Sequence, residues 1–176
     1  MGLYFILLTK SIELKRIYIV RHAKSSWDDM RIADVDRPLN KRGKRDAPIM
    51  ADICHSKGYI PQIIITSPAN RASSTAKVFR KTLGLSKKMF TYEKSLYHAP
   101  EDTYISACFG LDDDLNAVML FGHNPGITDL ANSVTDNYID NVPTCGVLVI
   151  DADIKSWVDL DFSKCKLIDY LYPKMF

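Results

Sequence analysis

Short apolar runs alternate with helical patterns along this chain, and the alternation predicts an α/β fold. Strands are predicted at six places: 16–20, 62–66, 89–93, 117–121, 146–151 and 156–162. The early runs are almost wholly apolar, which is typical of parallel strands that are covered on both faces. In the last run, Val158, Leu160 and Phe162 alternate with aspartates, so one face of that strand is expected to meet water. We therefore expect a three-layer α/β/α sandwich with a mostly parallel central sheet.

Apolar residues at helical spacing predict the layers on either side of the sheet. Four helices are expected: 40–57, 67–83, 100–109 and 125–134. In the second helix, Ser67 is placed as the N-cap, Pro68 lies in the first turn and Gly84 follows the end. Pro48 should either kink the first helix or delay its start.

Length and composition fit one ordinary domain, predicted to cover residues 16–176 of the 176-residue chain. Residues 1–15 contain the apolar run GLYFILLT, which is far shorter than the ~20 residues that span a bilayer. They are expected to form either an extra edge strand or a loosely held leader. Hydrophobic and charged contents of 47% and 25% are typical of a soluble globular protein. The net charge of +2 gives no reason to expect nucleic acid or a membrane as a partner.

The four cysteines also limit the possible chemistry. They are Cys54, Cys108, Cys145 and Cys165. Their spacing matches neither a zinc site nor a phosphate-binding thiol loop. Reduced thiols in a cytoplasmic protein are therefore expected.

Arginine and histidine side chains follow three of the predicted strands. Arg21 and His22 end the first strand, and Arg71 lies in the first turn of the helix after the second. His123 comes directly after the run 117–121. Because ligands of open α/β sheets bind at the carboxyl ends of strands, we expect these side chains at one rim.

Two arginines and two histidines at one rim suit a phosphoryl group. Guanidinium groups bind phosphate oxygens in pairs, and helix N-termini add backbone N–H donors. A neutral imidazole can attack phosphorus and carry the phosphoryl group covalently. The charge of neighbouring arginines should lower the pKa of His22 and keep its ring neutral near pH 7.

At these residues the sequence resembles the histidine phosphatase superfamily, and within it the SixA-type phosphohistidine phosphatases. The motifs are RHA at 21–23, SPANRASSTA at 67–76 and GHNPG at 122–126. DRPLNKRG at 36–43 resembles the segment that follows the first motif in SixA-like members. The resemblance extends over about residues 16–172 and implies the phosphoglycerate mutase-like form of the fold.

The resemblance also implies roles for individual residues. His22 would accept the phosphoryl group. The phosphate pocket and catalytic set would be completed by three residues: Arg21, Arg71 and His123. Further phosphate or substrate contacts are expected from four more: Ser25, Arg37, Ser67 and Asn124. The reaction would need no metal and no cofactor, since arginine and histidine supply the positive charge, and phosphate or sulfate could occupy the pocket.

Two departures from the family pattern bear on the substrate. Asp28 stands where mutase-like members often carry Asn; an ionised carboxylate there would repel phosphate, so Asp28 should turn away, orient a neighbour or be paired. Mutases and sugar phosphatases also carry an acid that protonates an alkoxide leaving group. Glu93, His98 and Glu101 are the possible donors here, although surface charge is the more ordinary role for all three.

A missing donor would favour cleavage of P–N over P–O bonds. Phosphohistidine can leave as neutral imidazole, whose conjugate acid has a pKa of about 6.5. We therefore expect a phosphohistidine phosphatase that acts on a protein. The alternatives are a metal-independent phosphatase for small phosphoesters, with His98 or Glu93 as the acid, and a non-catalytic phosphate-binding domain. Little chain remains between Arg71 and His123 for a lid, which favours an open site that a folded partner can reach.

Overall fold

One six-stranded sheet organises the protein. The computed structural model describes residues 14–176, so the prediction for residues 1–15 lies almost wholly outside the described residues. The strands are β1 Lys15–Arg21, β2 Ile63–Thr66, β3 Phe90–Tyr92, β4 Ala117–Gly122, β5 Val147–Ala152 and β6 Cys165–Leu171. Their spatial order is β3-β2-β4-β1-β5-β6. Pairing is parallel from β3 to β1 and antiparallel from β1 through β5 to β6, which confirms the mostly parallel sheet.

Helices cover both faces of this sheet. They are α1 Lys41–Ser56, α2 Asn70–Thr82, α3 Glu101–Ser106 and α4 Gly126–Ser133. One apolar core joins the sheet to α1 and α2, through side chains such as Met50 and Phe79. A second core joins the other face to α3 and α4, through side chains such as Tyr104 and Ile127. The expected three layers are therefore confirmed.

The apolar run of β1 is explained by these two cores. Ile17 and Ile19 belong to the core under α3 and α4. Tyr18 and Val20, which point to the opposite face, belong to the core under α1 and α2. Because successive side chains of a strand alternate between faces, a strand covered on both sides has to be apolar at every position.

Helix α1 begins before its proline. The Asn40 side chain accepts a hydrogen bond from the backbone N–H of Gly43 at 2.9 Å and thereby caps the first turn. Pro48 lies inside the helix, so the expectation that it delays the start is wrong. The cap is the fifth residue of the DRPLNKRG segment, and it satisfies a donor that the first turn leaves free.

The predicted strand 156–162 is also wrong. This segment contains a short 3-10 turn, Trp157–Asp159, and the sixth strand comes later, at β6. The side chains that are buried are Trp157 and Leu160, three positions apart, whereas Val158 is 65% exposed. The backbone N–H of Trp157 donates to the Asp113 carboxylate at 2.8 Å, which anchors the turn. The alternation in the sequence was misleading because it counted the exposed valine as a core residue.

Helix α2 starts later than its sequence pattern indicates. Its N-cap is Ala69 rather than Ser67, so the predicted cap is wrong. The Ser67 hydroxyl accepts from the Ala69 N–H at 3.3 Å and also contacts a ring nitrogen of His123 at 2.9 Å. Ser67 therefore lies in the turn before the helix, where its side chain supports His123.

Two further features concern the cysteines and the length of the helices. All four cysteines are free, and burial raises the pKa of each thiol. Within residues 14–176, no helix has the length and apolar character needed to cross a membrane.

Candidate active site

The two histidines lie side by side because their strands are neighbours. Strand β1 ends at Arg21 and β4 at Gly122, and these two residues are paired in the parallel register. His22 and His123 follow directly, and their ring centroids are 5.1 Å apart. The strand ends therefore bring both imidazoles to one rim, as the sequence predicted.

His22 is held in one tautomer. Its Nδ1 lies 2.8 Å from the carbonyl oxygen of Ala23. Because a carbonyl can only accept, Nδ1 carries the proton in the neutral ring and Nε2 keeps its lone pair. Burial, followed by the charges of Arg71, Arg21 and Arg37, lowers the pKa of His22 to about 3. The ring is thus neutral at pH 7, and its Nε2 carries a lone pair.

The loop that carries His22 is fixed by two helices. The Ala23 N–H donates to the Thr75 hydroxyl at 3.0 Å, and this hydroxyl donates to the Arg71 carbonyl at 2.7 Å. The Lys24 carbonyl accepts from the Asn40 N–H at 3.0 Å. The first motif is therefore tied both to α2 and to the start of α1.

His123 is more deeply buried than His22 and is also held on two sides. Its Nε2 lies 2.9 Å from the Ser67 hydroxyl, and its backbone N–H donates to the Tyr104 hydroxyl at 2.9 Å. Burial, followed by repulsion from His22 when that ring is protonated and from Arg71, lowers its pKa to about 2. Among the described residues, its Nδ1 is buried without a hydrogen-bond partner. A bound oxyanion could supply that partner.

An aspartate that the sequence analysis missed anchors the arginines. Arg71, only 4% exposed, donates from Nη1 to the Asp34 carbonyl at 2.6 Å and from Nη2 to its carboxylate at 2.9 Å. Arg37 donates to the other carboxylate oxygen at 2.8 Å and to the Ser25 hydroxyl at 2.7 Å. Asp34 thus joins two of the predicted phosphate-binding residues. The only signal in the sequence was its position three residues before Arg37.

Two more side chains meet the same carboxylate. The Tyr97 hydroxyl donates to Oδ2 of Asp34 at 2.7 Å, and Nε2 of His98 lies 3.5 Å from that oxygen. Burial raises the pKa of Asp34, but hydrogen bonds from Tyr97, Arg37 and Arg71 outweigh it and hold the pKa well below its usual range. The carboxylate is therefore ionised at neutral pH.

Arg21 and Asn124 donate hydrogen bonds to the same two residues, Asn141 and Val142. Arg21 donates to the Val142 carbonyl at 2.6 Å and to the Asn141 side chain at 3.2 Å. Asn124 donates to the same two groups, at 3.2 and 2.9 Å. Among the described residues, Nε of Arg21 is buried without a partner, and so is Oδ1 of Asn124. Burial lowers the pKa of the Arg21 guanidinium.

The three possible proton donors, Glu93, His98 and Glu101, lie at different places in the structure. The carboxylate of Glu93 accepts from the backbone and hydroxyl of Ser95 and so caps a 3-10 turn. Glu101 lies in the first turn of α3. Only His98 is shown beside the histidines, with its ring centroid 5.7 Å from that of His123. Asp28 is exposed.

Comparison with known proteins gives one family. The model of the histidine phosphatase superfamily (branch 1) matches residues 17–93. An uncharacterised chloroplastic protein of Arabidopsis thaliana is 31% identical over 156 residues, covering 81% of this chain and 69% of that protein. An uncharacterised protein of Mycobacterium leprae is 27% identical over 169 residues, covering 88% of this chain and 100% of that protein.

Solved structures agree with this family. A candidate phosphohistidine phosphatase SixA from Agrobacterium tumefaciens is 30% identical with a TM-score of 0.76, covering 90% of this chain and 98% of that chain. The protein histidine phosphatase SixA complexed with tungstate has a TM-score of 0.75 at 18% identity, covering 91% and 98%. A mycobacterial glucosyl-3-phosphoglycerate phosphatase has a TM-score of 0.58 at 14% identity, covering 88% and 97%. The last two likenesses show the fold alone.

Proposed function

Because this chain belongs to the histidine phosphatase superfamily, as a SixA-type member, we propose that it removes phosphate from phosphohistidine on a protein, through a covalent intermediate on His22. Membership of the family makes it a phosphatase. The observation that supports a covalent intermediate on His22 is the 2.8 Å contact between Nδ1 of His22 and the Ala23 carbonyl. That contact leaves Nε2 with a free lone pair in a ring that burial and nearby arginines keep neutral.

Two steps complete the proposed reaction. Nε2 of His22 attacks phosphorus, and the P–N bond of the substrate breaks. The electron pair of that bond returns to the substrate ring, which is protonated on its other nitrogen and therefore departs as neutral imidazole. A water molecule then attacks the phosphorylated His22, and the second P–N bond breaks to restore the ring and release phosphate. Arg21, Arg71 and His123 stabilise the transferring group.

The remaining predicted residues fit supporting roles in this proposal. Ser67 contacts His123, and Ser25 accepts from Arg37, which itself contacts the carboxylate that binds Arg71. Such contacts hold charged side chains in place before the substrate arrives, so little reorganisation is needed in the transition state. Asn124 has a buried oxygen that could accept a hydrogen bond from a protonated substrate group.

The substrate is proposed to be a side chain on a folded partner. Between Arg71 and His123 the chain forms the rest of α2, then β3, α3 and β4, joined by short segments. That leaves no room there for the long insertion that would enclose a small metabolite. We further propose that residues 16–176 act as one domain, since the six strands within residues 14–176 belong to one sheet.

One observation favours the second candidate function, a phosphatase for small phosphoesters. His98, a possible proton donor, lies beside His123 rather than on a remote surface. An acid at that place would assist an alkoxide or phenoxide leaving group, which phosphohistidine does not require.

A labelled substrate tests the proposed function. The wild type and His22→Ala would be mixed with a carrier protein bearing radioactive phosphohistidine and, separately, with sugar and nucleotide phosphates. We expect release of phosphate from the protein, label trapped on His22 after a rapid neutral quench, and no turnover by the variant. A label on another residue, or normal turnover by His22→Ala, would contradict the mechanism. A sugar phosphate turned over with kcat/KM of ~10⁶ M⁻¹s⁻¹, within the usual enzyme range, would favour the phosphoester candidate instead.

A further inference from the structure

His98 has a left-handed backbone conformation. Its φ is 54°, in the left-handed region, where non-glycine residues are uncommon. It lies in the turn between Tyr97 and the start of α3. A residue is held in such a conformation only when its surroundings enforce it, and such residues cluster at functional sites.

The surroundings direct this ring toward the phosphate pocket. Nε2 of His98 is 3.5 Å from Oδ2 of Asp34, and the ring lies 4.2 Å from that of Tyr97 and 5.7 Å from that of His123, measured between centroids. Its side chain is 59% exposed, whereas His22 and His123 are buried. His98 therefore lies at the opening of the pocket, where a leaving group would depart.

We propose that His98 is the proton donor to the leaving group, oriented by Asp34. The inference rests on the proposed function, because it needs a phosphoryl group on its way to His22. The charged and titratable groups that face the ring are Asp34, Arg71 through that carboxylate, His123 and Tyr97. Nε2 of His98 lies within ion-pair distance of the Asp34 carboxylate, which leaves the Nδ1–H of the imidazolium form available to the substrate.

Protons and electrons balance over the cycle. In the first step Nε2 of His22 bonds to phosphorus, the bond from phosphorus to the leaving atom breaks, and the leaving atom takes that electron pair together with the proton from His98. In the second step water bonds to phosphorus, the bond to His22 breaks, and neutral His98 takes the proton that water loses. One water is consumed, and alcohol or imidazole and phosphate are released.

The donor extends the substrate class of the site. With an acid in place, departing oxygen atoms of phenols and alcohols become acceptable, so phosphomonoesters should be cleaved as well as phosphohistidine. The other candidates fit this role less well, because Glu93 already caps its own turn and hydrogen bonds from Ser95 lower its pKa.

The proposed role of His98 can be tested with a series of aryl phosphates whose phenolate leaving groups are increasingly basic. We expect His98→Ala and His98→Gln to lose roughly 100-fold or more in kcat/KM on phenyl phosphate, in line with general acid catalysis, and less than about fivefold on 2,4-dinitrophenyl phosphate, whose phenolate leaves unaided. His55→Ala, at an exposed histidine in the last turn of α1, should match the wild type on both.

Several outcomes would overturn the inference. An equal loss on both esters would assign His98 a structural role, and no release of any phenol by the wild type would show that no donor operates. Labelling of His22 by the dinitrophenyl ester separates this test from that of the nucleophile. If His22 is labelled but the series shows no selective loss, the inference fails while the proposed function stands.

Discussion

Arg71 and Asp34 are joined through both terminal nitrogens of the arginine. Nη1 donates to the backbone carbonyl of Asp34 and Nη2 to its carboxylate, at 2.6 and 2.9 Å. A guanidinium has five N–H groups, so three remain for a phosphoryl group in the proposed mechanism. The aspartate therefore fixes the direction of the arginine before substrate binds, which lowers the cost of binding and of reaching the transition state.

Removing the arginine should abolish most of the activity. Arg71→Ala is expected to lower kcat/KM by roughly 10²- to 10³-fold, which corresponds to ~3–4 kcal/mol of transition-state stabilisation. Steady-state assays on the labelled phosphohistidine protein would measure this. Arg45→Ala, an arginine on α1 whose side chain is 67% exposed, serves as the control and should keep wild-type activity. Similar losses in both variants would place Arg71 outside the site.

Removing only the charge of Asp34, the partner of Arg71, should have a smaller effect on activity. Asp34→Asn keeps the shape of the side chain and the backbone carbonyl, but weakens the contacts to Arg71, Arg37 and Tyr97. We expect a loss of roughly tenfold in kcat/KM, or ~1.4 kcal/mol. The affinity for tungstate, measured by calorimetry, should fall with it. Tighter binding of tungstate would instead show that the carboxylate competes with oxyanions.

Stability should fall as the solution is acidified below the pKa of an unfolded histidine. Burial lowers the pKa of His22 to about 3 and that of His123 to about 2. Between these values and ~6.5 the unfolded chain binds more protons than the folded one, so the free energy of unfolding decreases as pH falls. Each histidine should contribute roughly 2 kcal/mol of loss between pH 6.5 and 5.

Urea unfolding at a series of pH values would measure this. His22→Asn should reduce the pH dependence in that window, whereas His55→Asn, at an exposed site, should leave it unchanged. The low pKa of Asp34 also makes the free energy of unfolding decrease as pH falls. That effect begins near the pKa of an unfolded aspartate, ~3.9, and therefore lies below the range of pH 5 to 6.5. An unchanged slope in His22→Asn would contradict the neutral buried ring.

Gly43 allows α1 to approach the loop that carries His22. A Cβ at Gly43 would meet the carbonyl oxygen of Lys24 at a distance far below van der Waals contact. Gly43→Ala should therefore destabilise the protein by about 1–3 kcal/mol and reduce activity, because the backbone next to His22 has to shift. Thermal unfolding and kcat/KM would be compared with those of Gly110→Ala, where an added Cβ meets open space. Equal behaviour of the two variants would show that the loop adjusts freely.

The reaction should proceed without a metal. In the proposed mechanism arginine side chains supply the positive charge at the site, and within residues 14–176 no group of three or more His, Cys, Asp or Glu side chains is placed to hold a metal ion. Activity should survive exhaustive treatment with EDTA, and tungstate, vanadate and phosphate should inhibit competitively. A loss of activity that Mg²⁺ or Zn²⁺ restores would refute this expectation.

The sequence alone determined the parts of the site that depend on local signals. Apolar runs mark strands covered on both faces, and residues that follow a strand have to lie at the edge of the sheet. That reasoning brought His22 and His123 to one rim, and the parallel pairing of β1 and β4 bears it out. It failed at Ser67 and at 156–162, where a local pattern was outweighed by contacts with distant residues, such as that between Trp157 and Asp113.

Only the tertiary structure decided how the site is supported. Asp34 meets Arg71 and Tyr97, which are 37 and 63 positions away in the chain, and no periodicity in the sequence encodes such pairings. His98 could not be distinguished from surface charge, because its relation to His123 depends on where the turn before α3 meets the end of β4. Local preference fixes which element a residue belongs to, whereas the packing of elements against one another fixes which side chains share a site.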